Sequence, residues 1–290
     1  MTNESCTVGI YYFSGTGNTE IVAHLLGEEF RKKGCTVDVI KIEDVLNNAV
    51  HLEIEKYALV GMGYPVHALN APKIFFDFVE QLPFKQKKVF TFKCSADPFM
   101  KGGTTTMVRK RLRKKGYTVF YERLFVMPSN VLVGYADELI KQLYNAAVYK
   151  TGTMCEEILS GKESLQENDL LSQIIVRVFS GMEQAGAPLF GKDLLVSDSC
   201  TLCNQCVRDC PTNNISRVDD VITFGWNCIL CMRCIYSCPE NAIKPRLFRF
   251  FTLREGFDVQ EVINDPSIKG NFVTSETKGY FRRFYDYLKE

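Results

Sequence analysis

Residues 6–33 read CTVGIYYFSGTGNTEIVAHLLGEEFRKK, and this stretch predicts the fold of the first half of the chain. An apolar strand over 6–13 leads into a loop of small residues, and a helix with apolar residues at helical spacing follows over 20–33. Glycines let a backbone approach a ligand closely, and the free N–H groups at a helix start attract anions. The stretch therefore predicts a phosphate-binding loop made of Ser14, Gly15, Thr16, Gly17, Asn18 and Thr19.

This loop differs from two commoner phosphate-binding motifs. It lacks the Gly-Lys-Ser/Thr ending of a Walker A loop, and it departs from the Gly-x-Gly-x-x-Gly pattern of dinucleotide-binding folds. It resembles instead the phosphate loop of flavodoxins, which binds the single terminal phosphate of FMN. Hydroxyl donors from Ser14, Thr16 and Thr19, with no lysine, suit a monophosphate bound without a metal. The resemblance implies that the loop binds FMN.

The rest of the N-terminal region alternates between strands and helices, as a doubly wound α/β fold requires. The further predicted elements are strands at 35–42, 57–62, 87–93 and 117–126 and helices at 70–82 and 104–115. With the first strand, they give a five-stranded parallel sheet of the flavodoxin-like kind, which we assign to a domain spanning 1–150. Ligands of such sheets bind beyond the carboxyl ends of the strands.

Two loops leave that end of the sheet, after the third and fourth predicted strands. In flavodoxins the corresponding loops flank the isoalloxazine ring. The resemblance therefore implies ring contacts from Tyr64, Pro65, Val66, His67, Ala68, Cys94, Ser95, Ala96, Gly102 and Gly103. Tyr64 either lies against the flavin or only packs the loop, and His67 either bonds flavin N1 or O2 or is an ordinary surface residue. Cys94 is predicted to be a buried thiol at a strand end, because no activating base is evident.

Eight of the 12 cysteines are packed between Cys200 and Cys238, and the remaining four, Cys6, Cys35, Cys94 and Cys155, are scattered singly. Residues 200–211 read CTLCNQCVRDCP, and residues 228–239 read CILCMRCIYSCP. Both have the form C-x2-C-x2-C-x3-C-P, the run that holds [4Fe–4S] clusters in bacterial ferredoxins. Three thiolates two residues apart in a tight turn converge on one cluster. The fourth cysteine, followed by proline, points toward the other cluster.

The predicted ligand sets are therefore crossed between the two runs. One cluster takes Cys200, Cys203, Cys206 and Cys238, and the other takes Cys228, Cys231, Cys234 and Cys210. A pair of zinc sites is the alternative. Zinc sites combine C-x2-C pairs into sets of four ligands, and they do not need the separate Cys-Pro that ends each run here. A short hairpin is predicted in 212–227. The segment 196–245 is predicted to be a small α+β ferredoxin-like domain with two [4Fe–4S] clusters.

The region before the cysteines reads as helical. Helices are predicted at 135–160 and 169–182, and 151–195 is predicted to be a helical connector. The strongly apolar helix 169–182 is too short to span a membrane, so it is expected to be buried between the domains. A linker is expected after it, marked by Gly181, Gly186 and Pro188.

The tail, residues 246–290, is rich in aromatic side chains. The piece 276–289 has helical spacing. We expect the tail to pack on one of the two cofactor domains or to form a homodimer contact, and the sequence leaves these alternatives open.

Charge and targeting signals limit the possible partners and locations. The formal net charge of +1 does not favour nucleic acid or an acidic membrane surface. The basic stretch RKRLRKK, from Arg109 to Lys115, is either the solvated face of a helix or a docking patch for an acidic redox partner. Neither a transmembrane helix nor a signal peptide is predicted. Clustered cysteines without a secretion signal more often bind metal, so a reducing cytoplasm is the expected location.

Together, the loop at Ser14–Thr19 and the two cysteine runs resemble the flavodoxin–ferredoxin fusion proteins of anaerobic bacteria and archaea. The resemblance implies electron transfer between two [4Fe–4S] clusters and FMN, as a redox carrier. A second hypothesis is an enzyme that reduces a small organic substrate at the flavin, with Tyr64 or His67 as the acid–base group. A third is an iron–sulfur sensor, which has little need of two clusters and a flavin.

Overall fold

The computed structural model of the 290-residue chain describes residues 6–99, 105–166, 170–254 and 256–290. Its larger part is a parallel sheet with strand order β2-β1-β3-β4-β5, the flavodoxin-like order, so the predicted fold class is confirmed. The strands are β1 (Thr7–Tyr12), β2 (Thr36–Lys41), β3 (Leu59–Pro65), β4 (Lys87–Ser95) and β5 (Tyr117–Val126). The helices that alternate with them are α1 (Asn18–Lys32), α2 (Ile42–Leu46), α3 (Lys73–Gln81) and α4 (Thr106–Lys114).

The central strand β1 shows why both faces of the sheet are covered. Val8, Ile10 and Tyr12 are buried in one core, and Tyr11 and Phe13 are buried in the other. Helices α1 and α5 (Asp137–Leu159) cover the first face, whereas α3 and α4 cover the second. A strand buried on both faces reads as a nearly continuous apolar run, and this explains the composition of the opening segment.

Strands β3 and β4 extend further toward the carboxyl end of the sheet than the sequence predicts. The parallel ladder pairs Tyr64 with Lys93 and Pro65 with Cys94, and the Val66 N–H then donates to the Cys94 carbonyl at 2.7 Å. Tyr64 and Pro65 therefore belong to β3, and the prediction that they lie in the following loop is wrong. Continued hydrogen bonding to β4 holds them in the extended conformation.

Two cysteines that the sequence treats as isolated form a disulfide, between Cys6 and Cys35, with Cα atoms 4.6 Å apart. The register of the sheet explains the pairing, because Thr7 of β1 lies opposite Thr36 of β2. Disulfides are rare in reducing compartments. The cytoplasmic location stays a prediction.

The two long helices after the sheet are α5 and α6 (Leu170–Lys192). The predicted linker after residue 182 is wrong, since α6 continues through Gly181, Gly186 and Pro188. Proline removes only one backbone donor, and the end of α6 is stabilised by buried Ala187 and Phe190. Within the described part of the chain, no helix has the length and apolar character needed to cross a membrane.

Helix α6 is also less buried than the sequence predicts. An apolar stripe on it is more than half exposed, and its members are Ile174, Val178, Phe179, Met182 and Leu189. The opposite side of the helix contacts the sheet domain, where Asn70 donates to the Ser180 hydroxyl at 3.2 Å. The helix therefore lies on the surface of the domain and has one covered side.

The cysteine segment forms a small domain of short elements. They are β6 (Leu194–Val196), α7 (Gln205–Arg208), β7 (Ile215–Val218), β8 (Val221–Phe224), α8 (Arg233–Tyr236) and β9 (Ile243–Pro245). Strands β7 and β8 form the predicted hairpin, and β6 pairs with β9 in antiparallel orientation. The pairing of β6 with β9 brings the two ends of the domain together.

The tail contains α9 (Val259–Asn264) and α10 (Arg282–Lys289), so its last helix starts later than predicted. Phe284 is fully buried, and the Tyr287 hydroxyl accepts a hydrogen bond from the Val126 N–H at 3.0 Å. Earlier in the tail, the ring of Phe257 lies 5.8 Å from that of Tyr236. The tail therefore packs mainly on the sheet domain and also contacts the small domain.

Candidate cofactor sites

The loop at Ser14–Thr19 joins the end of β1 to the start of α1. Gly17 adopts φ +100°, which favours glycine, and its N–H donates to the Ser14 hydroxyl at 3.1 Å. No side chain caps α1, and the first N–H groups of a helix have no acceptor within it. The buried Thr19 hydroxyl has no hydrogen-bond partner among the described residues. Free amides, an unpaired hydroxyl and a left-handed glycine fit the binding of a phosphate group.

A second segment, which the sequence analysis missed, holds this loop in place. The Asn18 amide donates to the Pro128 carbonyl at 2.8 Å, and the Asn130 amide donates to the Thr16 hydroxyl at 2.9 Å. The Asn130 carbonyl accepts in turn from the Tyr236 hydroxyl of the small domain at 2.7 Å. The Thr16 hydroxyl is thus already bound to protein. The only sequence signal for this segment is its place directly after β5.

Gly15 lies against the second cysteine run. A Cβ atom at this position would come within 2.4 Å of the Cys231 carbonyl oxygen. The sequence attributes this glycine to the close approach of a phosphate, but in the structure the neighbour that excludes a side chain is the backbone of Cys231. The phosphate loop and the cysteine segment are therefore in direct contact, although more than 200 residues separate them.

Arg233, between Cys231 and Cys234, is the main polar link across this contact. Its guanidinium donates to the Ser14 carbonyl at 2.6 Å and to the Gly15 carbonyl at 3.2 Å. It also donates to the Asp209 carbonyl at 2.8 Å and forms a 2.6 Å ion pair with Glu43 at the start of α2. The side chains of Arg233 and Glu43 are only 20% and 7% exposed. The sequence assigns no role to either residue.

The eight clustered cysteines line two cavities, four at each. The first is lined by Cys200, Cys203, Cys206 and Cys238. The second is lined by Cys210, Cys228, Cys231 and Cys234. In each cavity, three thiols come from one run and the fourth comes from the other. Among the described residues, no three histidine, cysteine or acidic side chains converge closely enough for a single metal ion. Several thiols around an open cavity fit the binding of an iron–sulfur cluster.

The two runs repeat each other's backbone at an offset of 28 residues. Leu202 and Leu230 both adopt φ +55°, and Asn204 and Met232 adopt φ +60° and +64°. The fourth thiol of each run also accepts a backbone N–H, since Asn214 donates to Cys210 at 3.2 Å and Ala242 donates to Cys238 at 3.3 Å. These repeated turns direct the three closely spaced thiols of each run to one cavity.

The surroundings of the two runs differ. Cys203 of the first run is exposed, whereas every other cysteine of the segment is at least partly buried. Burial raises the pKa of the Cys228 thiol to about 12 and also raises the pKa of Cys231 and Cys234. In the first run it raises the pKa of Cys206. Burial thus raises the pKa of three of the four thiols at the second cavity, which is the one that borders the phosphate loop.

The residues proposed to contact the flavin ring are only partly brought together. Tyr64 is 1% exposed, its ring centroid lies 4.6 Å from that of Phe75, and burial raises its pKa. It packs in the core as part of β3 rather than in the loop, and its contact with the flavin stays a prediction. His67 stays in the loop, half-buried, with Nδ1 3.7 Å from a carboxylate oxygen of Glu183 on α6. Pro65, Val66 and Ala68 lie beside it at the end of β3.

The other residues predicted to contact the flavin ring lie at the end of β4 and directly after it. Cys94 is buried at a strand end, as predicted, and burial raises the pKa of its thiol to about 12. Ser95 ends β4, and the Ala96 carbonyl accepts a hydrogen bond from the Tyr135 hydroxyl. Gly102 and Gly103 lie outside the described residues. The thiol is protonated at neutral pH, which does not suit a nucleophile.

The basic stretch forms most of α4, and half of its charges are paired within the protein. Arg109 lies 3.6 Å from the buried carboxylate of Glu122, and Arg111 and Lys115 both contact Glu80. Arg111 is exposed as well as paired, and the other exposed cations of this helix are Lys110, Arg113 and Lys114. The free positive surface is therefore smaller than the sequence suggests.

Comparison with known protein families matches two parts of the chain. Residues 9–125 match a flavodoxin domain, and residues 192–245 match a 4Fe-4S dicluster domain. The matches contain the phosphate loop and all eight clustered cysteines, and their order fits a flavodoxin–ferredoxin fusion. An uncharacterized protein of Methanocaldococcus jannaschii is 28% identical over 105 residues, which cover 36% of this chain. The match spans 64% of that curated relative, less than two thirds of its length.

Solved structures that resemble the chain cover about half of it. A flavodoxin of Megasphaera elsdenii in its two-electron reduced form shares 27% identity, covering 49% of this chain and 98% of that chain, with a TM-score of 0.32. A flavodoxin from the domain Archaea shares 16% identity, with coverages of 53% and 99% and a TM-score of 0.38. An NAD(P)H:quinone oxidoreductase from Methanothermobacter marburgensis shares 14% identity, with coverages of 53% and 99% and a TM-score of 0.40.

Proposed function

We propose that this chain, in which a flavodoxin domain is joined to a 4Fe-4S dicluster domain, transfers electrons between two [4Fe–4S] clusters and FMN. The observation that carries the proposal is the contact between the two candidate cofactor sites. Gly15 of the phosphate loop lies against the backbone of Cys231, which lines the second cavity. Joining both sites in one chain fixes their separation and removes a diffusional encounter.

Two cofactors divide the chemistry in this proposal. When bound, the clusters supply one-electron transfer and the flavin accepts either one or two electrons. Cys200, Cys203, Cys206 and Cys238 hold one cluster, and Cys210, Cys228, Cys231 and Cys234 hold the other. The loop of Ser14, Gly15, Thr16, Gly17, Asn18 and Thr19 holds the FMN phosphate. The role we infer is that of a redox carrier in anaerobic metabolism.

The two cavities have different places in the proposed transfer. The first contains the exposed Cys203, so it is the one accessible to a redox partner. The second borders the phosphate loop, and burial raises the pKa of three of its four thiols. We therefore place the first cluster toward solvent and the second toward the flavin.

The proposal is tested by purifying the full chain without oxygen and measuring its cofactors. We expect about eight irons and about one FMN per chain. After the clusters are reduced by a protein donor, flavin absorbance at 450 nm should fall in a first-order step that does not depend on protein concentration. An iron content of about four, or no flavin, would contradict the cofactor assignment.

A reductase that acts on a small substrate is the second candidate, and the pair of His67 and Glu183 favours it. With Tyr64 buried in the core, His67 is the remaining acid–base candidate from the loop after β3, and Glu183 of α6 is its neighbour. Reoxidation of the reduced protein by small quinones, compared with reoxidation by carrier proteins, separates the two functions. A His67→Ala variant that loses only the quinone reaction would favour the enzyme.

The partner protein is proposed to be acidic and to dock on the exposed cations of α4, Lys110, Arg113 and Lys114. Replacing all three with glutamate should slow reduction by an acidic ferredoxin at low salt, and the effect should shrink as salt screens the charges. The control is Lys73→Glu, which removes a cation on the neighbouring helix α3. An unchanged rate in the triple variant would contradict the docking site.

A further inference from the structure

The two cysteine runs differ in chemistry at one position that their spacing makes equivalent. The residue before the third cysteine is Gln205 in the first run and Arg233 in the second. Gln205 lines the first cavity. Arg233 lines the second cavity and extends across the contact to the phosphate loop. Arg233 therefore gives the second cavity a positive charge that Gln205 does not give the first.

Arg233 contacts three separate segments at once. It donates to the carbonyls of Ser14 and Gly15 in the phosphate loop, to the carbonyl of Asp209 next to Cys210, and to the carboxylate of Glu43 on α2. A guanidinium presents five N–H donors in a fixed plane, so one side chain can meet all these acceptors. The ammonium of lysine has the same charge but cannot reproduce this arrangement. Arg233 thus connects both cysteine runs to the loop.

Glu43 balances this charge from the other side. Its carboxylate lies 2.6 Å from the guanidinium, and its second oxygen has no hydrogen-bond partner among the described residues. In surroundings of low dielectric constant, both charges act on a neighbouring group more strongly than they would in water. Removing one partner of such a pair leaves the other uncompensated. The pair therefore places two opposite charges beside the second cavity.

We propose that Arg233 is a positioning residue that couples the second cluster to the flavin site, and that the Arg233–Glu43 pair sets the reduction potential of this cluster. The inference rests on the proposed function. Arg233 keeps the Cys231 backbone against the phosphate loop, and its charge favours the state with one more electron. Glu43 opposes that state. Neither residue contacts the first cavity.

The charge argument predicts shifts of opposite sign. Reduction of a [4Fe–4S] cluster adds one electron and makes the cluster more negative by one charge. Removing the cation in Arg233→Gln should lower the potential of the second cluster, whereas removing the anion in Glu43→Gln should raise it. A purely structural role for the pair would not produce shifts in opposite directions.

The experiment uses the full chain purified without oxygen, with its clusters, first freed of flavin and then reconstituted with FMN. Potentials are measured by redox titration followed by EPR, and flavin reduction is measured by stopped-flow absorbance. The variants are Arg233→Gln, Arg233→Lys and Glu43→Gln. The matched control is Arg208→Gln, because Arg208 bonds the Cys203 carbonyl at 2.9 Å in the first run.

In the flavin-free protein, we expect the potential of the second cluster to fall in Arg233→Gln and to rise in Glu43→Gln. In Arg233→Lys it should stay near that of the wild type. Flavin reduction should slow by at least about tenfold in both Arg233 variants, because small displacements of reacting groups have large effects on rate. Arg208→Gln should change neither the second cluster's potential nor the rate of flavin reduction.

Shifts of the same sign in Arg233→Gln and Glu43→Gln, or no shift in either, would overturn the electrostatic role. Wild-type rates of flavin reduction in both Arg233 variants would overturn the positioning role. If Arg233→Gln fails to retain clusters, Arg233→Lys and Glu43→Gln still decide both points. Failure of the proposed function is recognised separately, because the wild-type clusters would then not reduce the flavin at all.

Discussion

The two cysteine runs have the same spacing and the same backbone turns, yet they lie in different surroundings. The first has an exposed thiol at Cys203, whereas no thiol of the second is fully exposed. The second packs on the sheet domain, where Ile229 and Cys231 contact the core that also contains Phe13. The shared pattern therefore determines how a cluster is held. The residues between the ligands determine what each cluster faces.

The largest expected effect separates the two ligand sets. Replacing Cys238 with serine should abolish the first cluster, although Cys238 belongs to the second run, because its thiol lines the first cavity. The iron content should fall to about half, and EPR should show only the cluster of the second cavity. Cys210→Ser should have the converse effect.

If Cys238→Ser instead lost the cluster of the second cavity, or Cys210→Ser lost that of the first, the ligand sets would not be crossed. The control is Cys155→Ser, which removes a buried thiol far from both cavities along the chain. This variant should keep both clusters.

A smaller effect is expected from the contact that distinguishes the second run. In Gly15→Ala the added methyl group would lie 2.4 Å from the Cys231 carbonyl, so the two domains must separate slightly. We expect a loss of about 1–3 kcal/mol in stability, measured as a lower thermal midpoint of the oxygen-free holoprotein. No glycine contact of this kind is found at the first run within the described residues.

Gly181→Ala is the matched control for this change. A Cβ atom at Gly181 would meet nothing within 4 Å, and the residue lies inside α6. Alanine should therefore stabilise the protein by about 0.5–1 kcal/mol. Equal thermal midpoints for Gly15→Ala and the wild type would mean that the contact is not tight in solution.

The smallest expected effect concerns the rate of cluster loss. Cys210→Ser should keep only the first cluster, which has the exposed ligand Cys203, and Cys238→Ser should keep only the second. Iron release to a chelator in air should be a few times faster from Cys210→Ser, because oxidation of cluster ligands follows their exposure. Equal release rates would contradict the proposed difference in exposure between the first and the second cluster.

Features that depend on short-range sequence are the ones that the sequence predicts well. The five strands and the turns around each cysteine run follow from local patterns. A thiol two residues from another in a tight turn is placed by its neighbours alone. The grouping of Cys210 with the second run required only the known geometry of one repeated motif.

The sequence does not predict the features that depend on contacts between distant segments. Tyr64 is in the core because β3 and β4 continue to pair beyond the predicted strand end. The disulfide of Cys6 and Cys35 follows from sheet register, which the local sequence does not reveal. The role proposed for Arg233 depends on the contact between the small domain and the phosphate loop, which the local sequence does not reveal.

The position of the tail has a consequence for synthesis on the ribosome. Phe284 and Tyr287 complete a core cluster with Val126, Leu139 and Leu143 of the sheet domain. These two aromatic residues are translated after all eight clustered cysteines. N-terminal domains usually fold first as the chain emerges, but here the first domain cannot finish packing until the second has been made. The iron-binding segment is thus fully translated while its neighbour still lacks part of its core.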